Sequence, residues 1–332
     1  MMDYGIGLAD IEQARDRIAG TVSRTAVNPS LSLGQKVGVP VHMKLEHTQI
    51  TGSFKLRGAA NALAMLSDSQ RAKGVVAVST GNHGRAVAHA ARVAGVKAVI
   101  CLSELVPRNK VAAIEALGAE LQICGRSQDE AEQEALRLER EGMTYISPFD
   151  NPDVIAGQGT LGLEMLEDMP EAETVVVPLS GGGLLSGVAL AMKTHRPDIR
   201  LVGVTMSRGA AMYESLKAGQ PVEVAEVESL ADSLGGGIGL QNRYTFAIVR
   251  DLVERCLLVE EEELAEAIRH AYLEEQQVLE GGAAAGIAAL LSGRLKPQGP
   301  TLVVLSGRNL DMDQHRQLVC SKDGGALEGK DV

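Results

Sequence analysis

From about residue 40 the chain alternates short β-branched runs with longer amphipathic stretches. The runs are VVAVS (75–79), KAVICL (97–102), ELQIC (120–124), TVVVPL (174–179), RLVGVT (200–205) and TLVVLS (301–306). Their length and side-chain type predict strands. Between them Val87, Ala91 and Ala94 are spaced along one helix face. Ser127-Gln128-Asp129-Glu130 reads as a capping box opening another helix, and Glu260 to Glu263 place acid where a helix macrodipole favours it. A further helix is expected over about 8–19. Strands alternating with helices predict an α/β fold of parallel sheets covered on both faces.

Two segments interrupt this pattern. Leu66 to Lys73 is polar and reads as a loop, and ISPFDNPDV (146–154) carries two prolines. They bracket a small βα lobe of a plausible domain size. The expected division is a large cofactor-binding domain, 1–70 with 150–320, and a small substrate-gating domain, 71–149. The Gly- and charge-rich tail 321–332 is expected to be disordered. No internal repeat is visible.

Composition narrows the function classes. Of 332 residues, 45% are hydrophobic and 2% aromatic, so the core must be aliphatic. A net charge of −11 argues against nucleic acid or an anionic membrane as partner. Cys101, Cys124, Cys256 and Cys320 show no metal-finger spacing and read as structural thiols in a reducing compartment. The N-terminus lacks a secretory pattern and no apolar run is long enough to span a membrane, so a cytoplasmic location is expected.

Four segments carry candidate chemistry. In TGSFKLRG (51–58), Lys55 lies between a Thr-Gly-Ser turn and an apolar helical run. A pinned, partly desolvated lysine loses proton affinity and becomes a nucleophile able to form a Schiff base. Alone, it reads more readily as a surface lysine at a helix start. STGNHGRA (79–86) follows a predicted strand and opens a helix, which suits a carboxylate. A plain capped turn would look the same. SGGGLLSG (180–187) places three consecutive glycines at a strand-to-helix turn, a costly choice that suits close approach to a phosphate. Its spacing fits neither a dinucleotide fingerprint nor a P-loop. LSGRN (305–309) puts Ser306 at a strand's carboxyl end, where open α/β sheets bind ligands, or where a helix cap would sit. An amine nucleophile, a carboxylate nest, a phosphate cup and a strand-end hydroxyl together suit a pyridoxal phosphate enzyme acting on an amino acid.

KLEHTQITGSFKLRGA (44–59), STGNHG (79–84), SGGGL (180–184), ADSLGGGIGL (231–240) and SGRN (306–309) resemble the threonine dehydratase and serine racemase family of fold-type II pyridoxal phosphate enzymes. The resemblance runs in order from about residue 8 to 319. VIAGQGT (154–160), DSLGGGIGLQNR (232–243) and LSGRNLDM (305–312) look most like the hydroxyectoine utilisation dehydratases. It implies a two-lobed, tryptophan synthase beta-like fold and a homodimer. It implies that Lys55 holds the cofactor and then acts as base at Cα, with Phe54 packed beside the ring. Asn82 would bond the phenolic oxygen, and Ser180, Gly181, Gly182, Gly183 and Leu184 would cradle the phosphate. Ser306 would bond the pyridine nitrogen. Ser79, Thr80, Gly81 and His83 would surround the substrate carboxylate, with Thr80 also catalytic.

A neutral hydroxyl at Ser306 leaves the pyridine nitrogen uncharged and the electron sink weak, which favours loss of a β-hydroxyl over transamination. The expected reaction is elimination of water from a 3-hydroxy amino acid, giving a 2-oxo acid and ammonia. Three departures qualify the resemblance. Thr80 stands where the family's racemases carry serine, and its methyl stiffens χ1. TMSRGAA (205–211), where relatives hold a divalent metal, has no carboxylate, so no metal is expected. Arg308 replaces a small glycine and either binds a second substrate carboxylate or pairs with an acid such as Asp311. Arg85 and Arg243 are further candidates for a substrate-side anion. Threonine, serine, 3-hydroxyaspartate and a hydroxyectoine-derived amino acid all satisfy the chemistry. Serine racemisation, β-replacement and a non-enzymatic amino-acid sensor are the rival readings.

Overall fold

A computed structural model describes residues 4–79, 81–104, 106 and 108–320. The tail 321–332 and Thr80 lie outside the described residues. Among the described residues there are ten strands: β1 Val27–Ser30, β2 Val41–Lys44, β3 Val75–Val78, β4 Ala98–Leu102, β5 Glu120–Ile123, β6 Thr144–Tyr145, β7 Thr174–Pro178, β8 Arg200–Met206, β9 Arg255–Val259 and β10 Thr301–Val304. They form a six-stranded sheet ordered β1-β2-β10-β7-β8-β9 and a four-stranded sheet ordered β5-β4-β3-β6. Every pairing is parallel except β1 with β2, so the large sheet carries one antiparallel edge that the alternating pattern did not predict. The small sheet is parallel throughout.

The large sheet is covered on both faces. On one side lies the helix Gly281–Leu291, whose small residues allow close approach. A Cβ at Gly286 would stand 2.7 Å from Val303 Cγ1 of β10. On the other side Leu185, Val188 and Met192 of the helix Gly183–His195 join Val175, Val177, Leu201 and Leu302 in a second aliphatic cluster. The helix Lys55–Ala64 packs against the helices Asn82–Ala94 and Pro152–Asp168. Its Leu56, Ala59, Ala60 and Leu63 pack with Val75, Ala77 and Ile100 of the small sheet.

The expected helices appear at Leu8–Ile18, Asn82–Ala94, Gln128–Arg140 and Glu261–Leu273. Ser127 accepts from the Glu130 N–H, as its capping box requires. The reading of Leu66 to Lys73 as a loop is corrected. Asp68–Lys73 is a short helix capped by Ser67, with Gln70 reaching back to the Ser67 N–H. None of its six residues is buried, so it has no apolar stripe by which a sequence pattern could reveal it. Asn151 caps the helix Pro152–Asp168, which begins directly on the proline-rich segment.

Candidate active site

The carboxyl ends of β3, β7 and β10 converge on a cavity of about 280 Å³. Lys55 is the first residue of its helix, and the chain before it is fastened to the end of β10. The Phe54 N–H donates to the Ser306 carbonyl at 3.0 Å, Ser53 bridges Gly307, and the Arg308 N–H donates to the Gly52 carbonyl at 2.9 Å. Two residues further on, the guanidinium of Arg57 is fully buried. It makes paired bonds to Glu46 at 2.8 and 2.8 Å and to Glu164 at 2.7 and 2.9 Å. Lys44, also buried, pairs with Glu164 at 2.8 Å and Asp168 at 3.0 Å. This ionic core pins the helix that carries Lys55.

The Lys55 amine donates to the Pro148 carbonyl at 2.8 Å and stands 5.2 Å from the Phe54 ring centroid. Burial lowers its pKa to about 8, partly opposed by the Glu280 carboxyl. An amine so tuned is still mostly protonated at neutral pH, but its neutral, nucleophilic fraction is far larger than that of an ordinary lysine.

Around it the sequence-predicted residues converge. Ser79, Gly81, Asn82 and His83 line the cavity after β3, Ser180 to Leu184 line it after β7, and Phe54 and Ser306 complete it. His83 is buried and its Nε2 donates to the Ile146 carbonyl at 2.8 Å, an assignment that follows because a carbonyl only accepts. Burial first, then Lys55, lowers its pKa to about 3, so the ring is neutral. At the phosphate cup Gly182 has φ +88°, a left-handed conformation natural to glycine. A Cβ on Gly181 would fall inside the Phe149 ring. Thr80 lies outside the described residues. Arg308 is exposed, and neither it nor Arg85 or Arg243 lines the cavity. The bridges between 307–308 and 52–53 turn the chain so that Asn309, not Arg308, faces inward.

Three cavity residues escaped the sequence reading. Glu280 is buried at the N-cap of the helix Gly281–Leu291. It accepts from Asn82 Nδ2 at 2.7 Å and from the Asn309 N–H at 3.0 Å. Burial, then Asp232, raises its pKa to about 7 against these bonds. Asn309 Nδ2 donates to Asn82 Oδ1 at 2.6 Å and accepts at Oδ1 from Arg85 at 2.9 Å, so the Asn82 amide is held at both ends. Phe149 walls the phosphate cup beside Pro148, and Asp150 anchors that segment by accepting from the N–H groups of Arg243, Tyr244 and Thr245. Their only sequence signals are an acid before a small-residue run and a proline-rich connector.

The donor set fits pyridoxal phosphate. Bare glycine amides at a helix N-terminus would meet the phosphate, a buried amine of lowered pKa would meet the aldehyde, and a strand-end hydroxyl would meet the ring nitrogen. Comparison with known proteins agrees. Residues 18–307 match the family described as pyridoxal-phosphate dependent enzymes. The chain is 55% identical to a Sinorhizobium fredii protein that carries a provisional threonine dehydratase name, over 95% of each chain. It is 39% identical to the L-threonine ammonia-lyase of Thermotoga maritima, over 95% of this chain and 78% of that one. The structure of maize serine racemase superposes with a TM-score of 0.90 at 35% identity, covering 94% of this chain and 96% of that one. The chain belongs to the pyridoxal-phosphate dependent enzymes, in the threonine dehydratase and serine racemase family.

Proposed function

We propose that the protein is a dehydratase that eliminates water from a 3-hydroxy amino acid, releasing a 2-oxo acid and ammonia. The observation that carries this reading is the pair formed by a buried amine of lowered pKa and a neutral hydroxyl at the end of β10, both lining one cavity. Lys55, Phe54, Asn82, Ser306 and the 180–184 turn would hold pyridoxal phosphate. When bound, that group supplies the electron sink that acidifies the substrate Cα–H.

The chain's own residues do the rest. Ser79, Gly81 and the backbone N–H of His83 would bind the substrate carboxylate at the start of the helix Asn82–Ala94, and Thr80, next to Ser79 in sequence, is proposed to act with them. The Lys55 amine takes the Cα proton. As an ammonium it can then protonate the hydroxyl leaving from C3, so that water departs and the base is restored. The released enamine tautomerises and takes up water to give the 2-oxo acid and ammonia. Asn82, gripped by Glu280 and Asn309, keeps one fixed amide orientation, and Ser306 offers a hydroxyl without adding charge.

The finer reading is that the enzyme serves hydroxyectoine catabolism; its support is the VIAGQGT, DSLGGGIGLQNR and LSGRNLDM segments. The proposal includes a cytoplasmic homodimer and gating by residues 71–149. Exposed Leu31, Leu273 and Met312 offer apolar surface for a second copy, and no helix of the described residues is long and apolar enough to cross a membrane. Measuring 2-oxo acid and ammonia from threonine, serine, 3-hydroxyaspartate and a hydroxyectoine-derived amino acid tests the reading. Equimolar release supports elimination, whereas inversion at Cα without release would make it a racemase.

A further inference from the structure

A carboxamide can point either way, and what fixes the direction of Asn82 begins outside the cavity. Arg85 stands three residues on along the helix Asn82–Ala94, half-buried and away from the lining. Its guanidinium donates to Asn309 Oδ1 at 2.9 Å. Asn309 Nδ2 donates to the Thr51 carbonyl at 2.9 Å and to Asn82 Oδ1 at 2.6 Å. A guanidinium only donates and a backbone carbonyl only accepts, so the Asn309 amide has one allowed direction. Its side chain also lies against Gly52, where a Cβ would stand 2.6 Å from Oδ1 and 3.1 Å from Nδ2.

Asn309 hands that direction to Asn82. The Asn82 oxygen faces Asn309, so Nδ2 is turned to Glu280, whose Oε1 accepts at 2.7 Å. Nδ2 carries two N–H bonds, and the second is left for a ligand in the cavity that Asn82 lines. Glu280 could not set this direction unaided. Burial, then Asp232, raises its pKa to about 7, so near neutrality it is protonated much of the time. A protonated carboxyl donates as well as accepts, and would satisfy the Asn82 amide in either direction.

We propose that Arg85 and Asn309 are positioning residues that act through Asn82, keeping an N–H and not the amide oxygen turned toward the phenolic oxygen of pyridoxal phosphate. The proposal deepens the reading in which Asn82 addresses that oxygen, and rests on it. A donor there favours the unprotonated phenolic oxygen, whereas an acceptor in the same place would favour the protonated one. Arg85 then serves the cofactor and not a substrate anion.

The test reads the absorbance of the substrate-free holoenzyme across pH, as the ratio of the yellow to the near-ultraviolet form of the bound cofactor. The yellow form is the one whose phenolic oxygen has given up its proton. Arg85→Met removes the donor and Asn309→Ala removes the relay. Each should lower the ratio by about tenfold, the equivalent of a one-unit pKa shift. Arg85→Lys should keep the wild-type ratio, because an ammonium is also a donor only. Arg85→Gln should keep it too, because its amide donates without a charge, which separates the hydrogen bond from the loss of a nearby cation. Asn82→Ala should lower the ratio at least as far as Asn309→Ala. A fall in Arg85→Gln as large as in Arg85→Met would make charge the cause and overturn the relay. So would wild-type ratios in both Arg85→Met and Asn309→Ala while Asn82→Ala falls. A wild-type ratio in Asn82→Ala would overturn the Asn82 assignment and the relay with it. If Asn309→Ala does not fold, the Arg85 series decides alone. The readout needs no turnover, so the dehydratase reading stands or falls separately, on release of 2-oxo acid.

Discussion

The Phe54 N–H donates to the carbonyl of Ser306 across 3.0 Å, joining the residue before the lysine proposed as nucleophile to the residue proposed to address the ring nitrogen. With the Ser53–Gly307 bridge and the Arg308-to-Gly52 bond, it places Lys55 and Ser306 in one frame. The two ends of the cofactor ring would thereby be positioned by segments some 250 residues apart in sequence. Proline at 54 would remove the donor, so Phe54→Pro should lose cofactor binding, whereas Phe54→Leu should retain it. Absorbance of the bound cofactor distinguishes the two.

Gly181 couples the phosphate cup to the nucleophile. Any Cβ there meets the Phe149 ring, and Phe149 adjoins Pro148, whose carbonyl accepts from Lys55. Gly181→Ala should therefore weaken pyridoxal phosphate binding by at least about tenfold, or roughly 1.4 kcal/mol. Equilibrium dialysis against the apoprotein measures it. Unchanged affinity would mean that Phe149 yields freely.

Arg57 holds two buried carboxylates at once. Arg57→Ala leaves Glu46 uncompensated in the core and should cost about 3–5 kcal/mol of stability. Urea unfolding reads this directly. Arg57→Lys should recover only part of the loss, because an ammonium cannot make two paired forks.

Glu280 predicts a pH signature. Its folded-state pKa of about 7 lies above its ordinary 4.5, so the stability tied to its protonated form is complete below about pH 4.5 and lost as pH rises through about 7. In the apoprotein this is worth on the order of 3 kcal/mol, at about 1.4 kcal/mol per pH unit. Glu280→Gln should flatten the fall in melting temperature across that window. A wild-type slope that persists in the variant would assign it to another group.

Much of this site was legible because its signals are local. A glycine run after an apolar strand, or a lysine after Thr-Gly-Ser, announces backbone chemistry within a few residues. The six β-branched runs appear as β3, β4, β5, β7, β8 and β10. What stayed hidden depends on tertiary contact. β1 and β2 are four residues each with mixed polarity, and β6 is two residues long. Glu280, Asn309 and Asn82 become one network only when the ends of β3 and β10 and the start of the helix Gly281–Leu291 meet. From sequence, Arg308 stands open between a second substrate carboxylate and an acid such as Asp311; it is exposed and does not line the cavity, where Asn309 stands instead.

The segment 205–211 bears on metal dependence. It contains no carboxylate, and the acid that reaches it, Glu260, accepts from the Ser207 hydroxyl and pairs with Arg294 at 3.5 Å. A chelator is expected to leave both melting temperature and turnover unchanged. A fall in either that Mg²⁺ reverses would show a cation bound elsewhere.

Lys55 is the centre of the account, and borohydride trapping tests it most directly. Reduction of the holoenzyme followed by peptide mass mapping should find one pyridoxyl group, on Lys55, with loss of the yellow colour and of turnover. A pyridoxyl group on another lysine, or full turnover by Lys55→Ala, would contradict it.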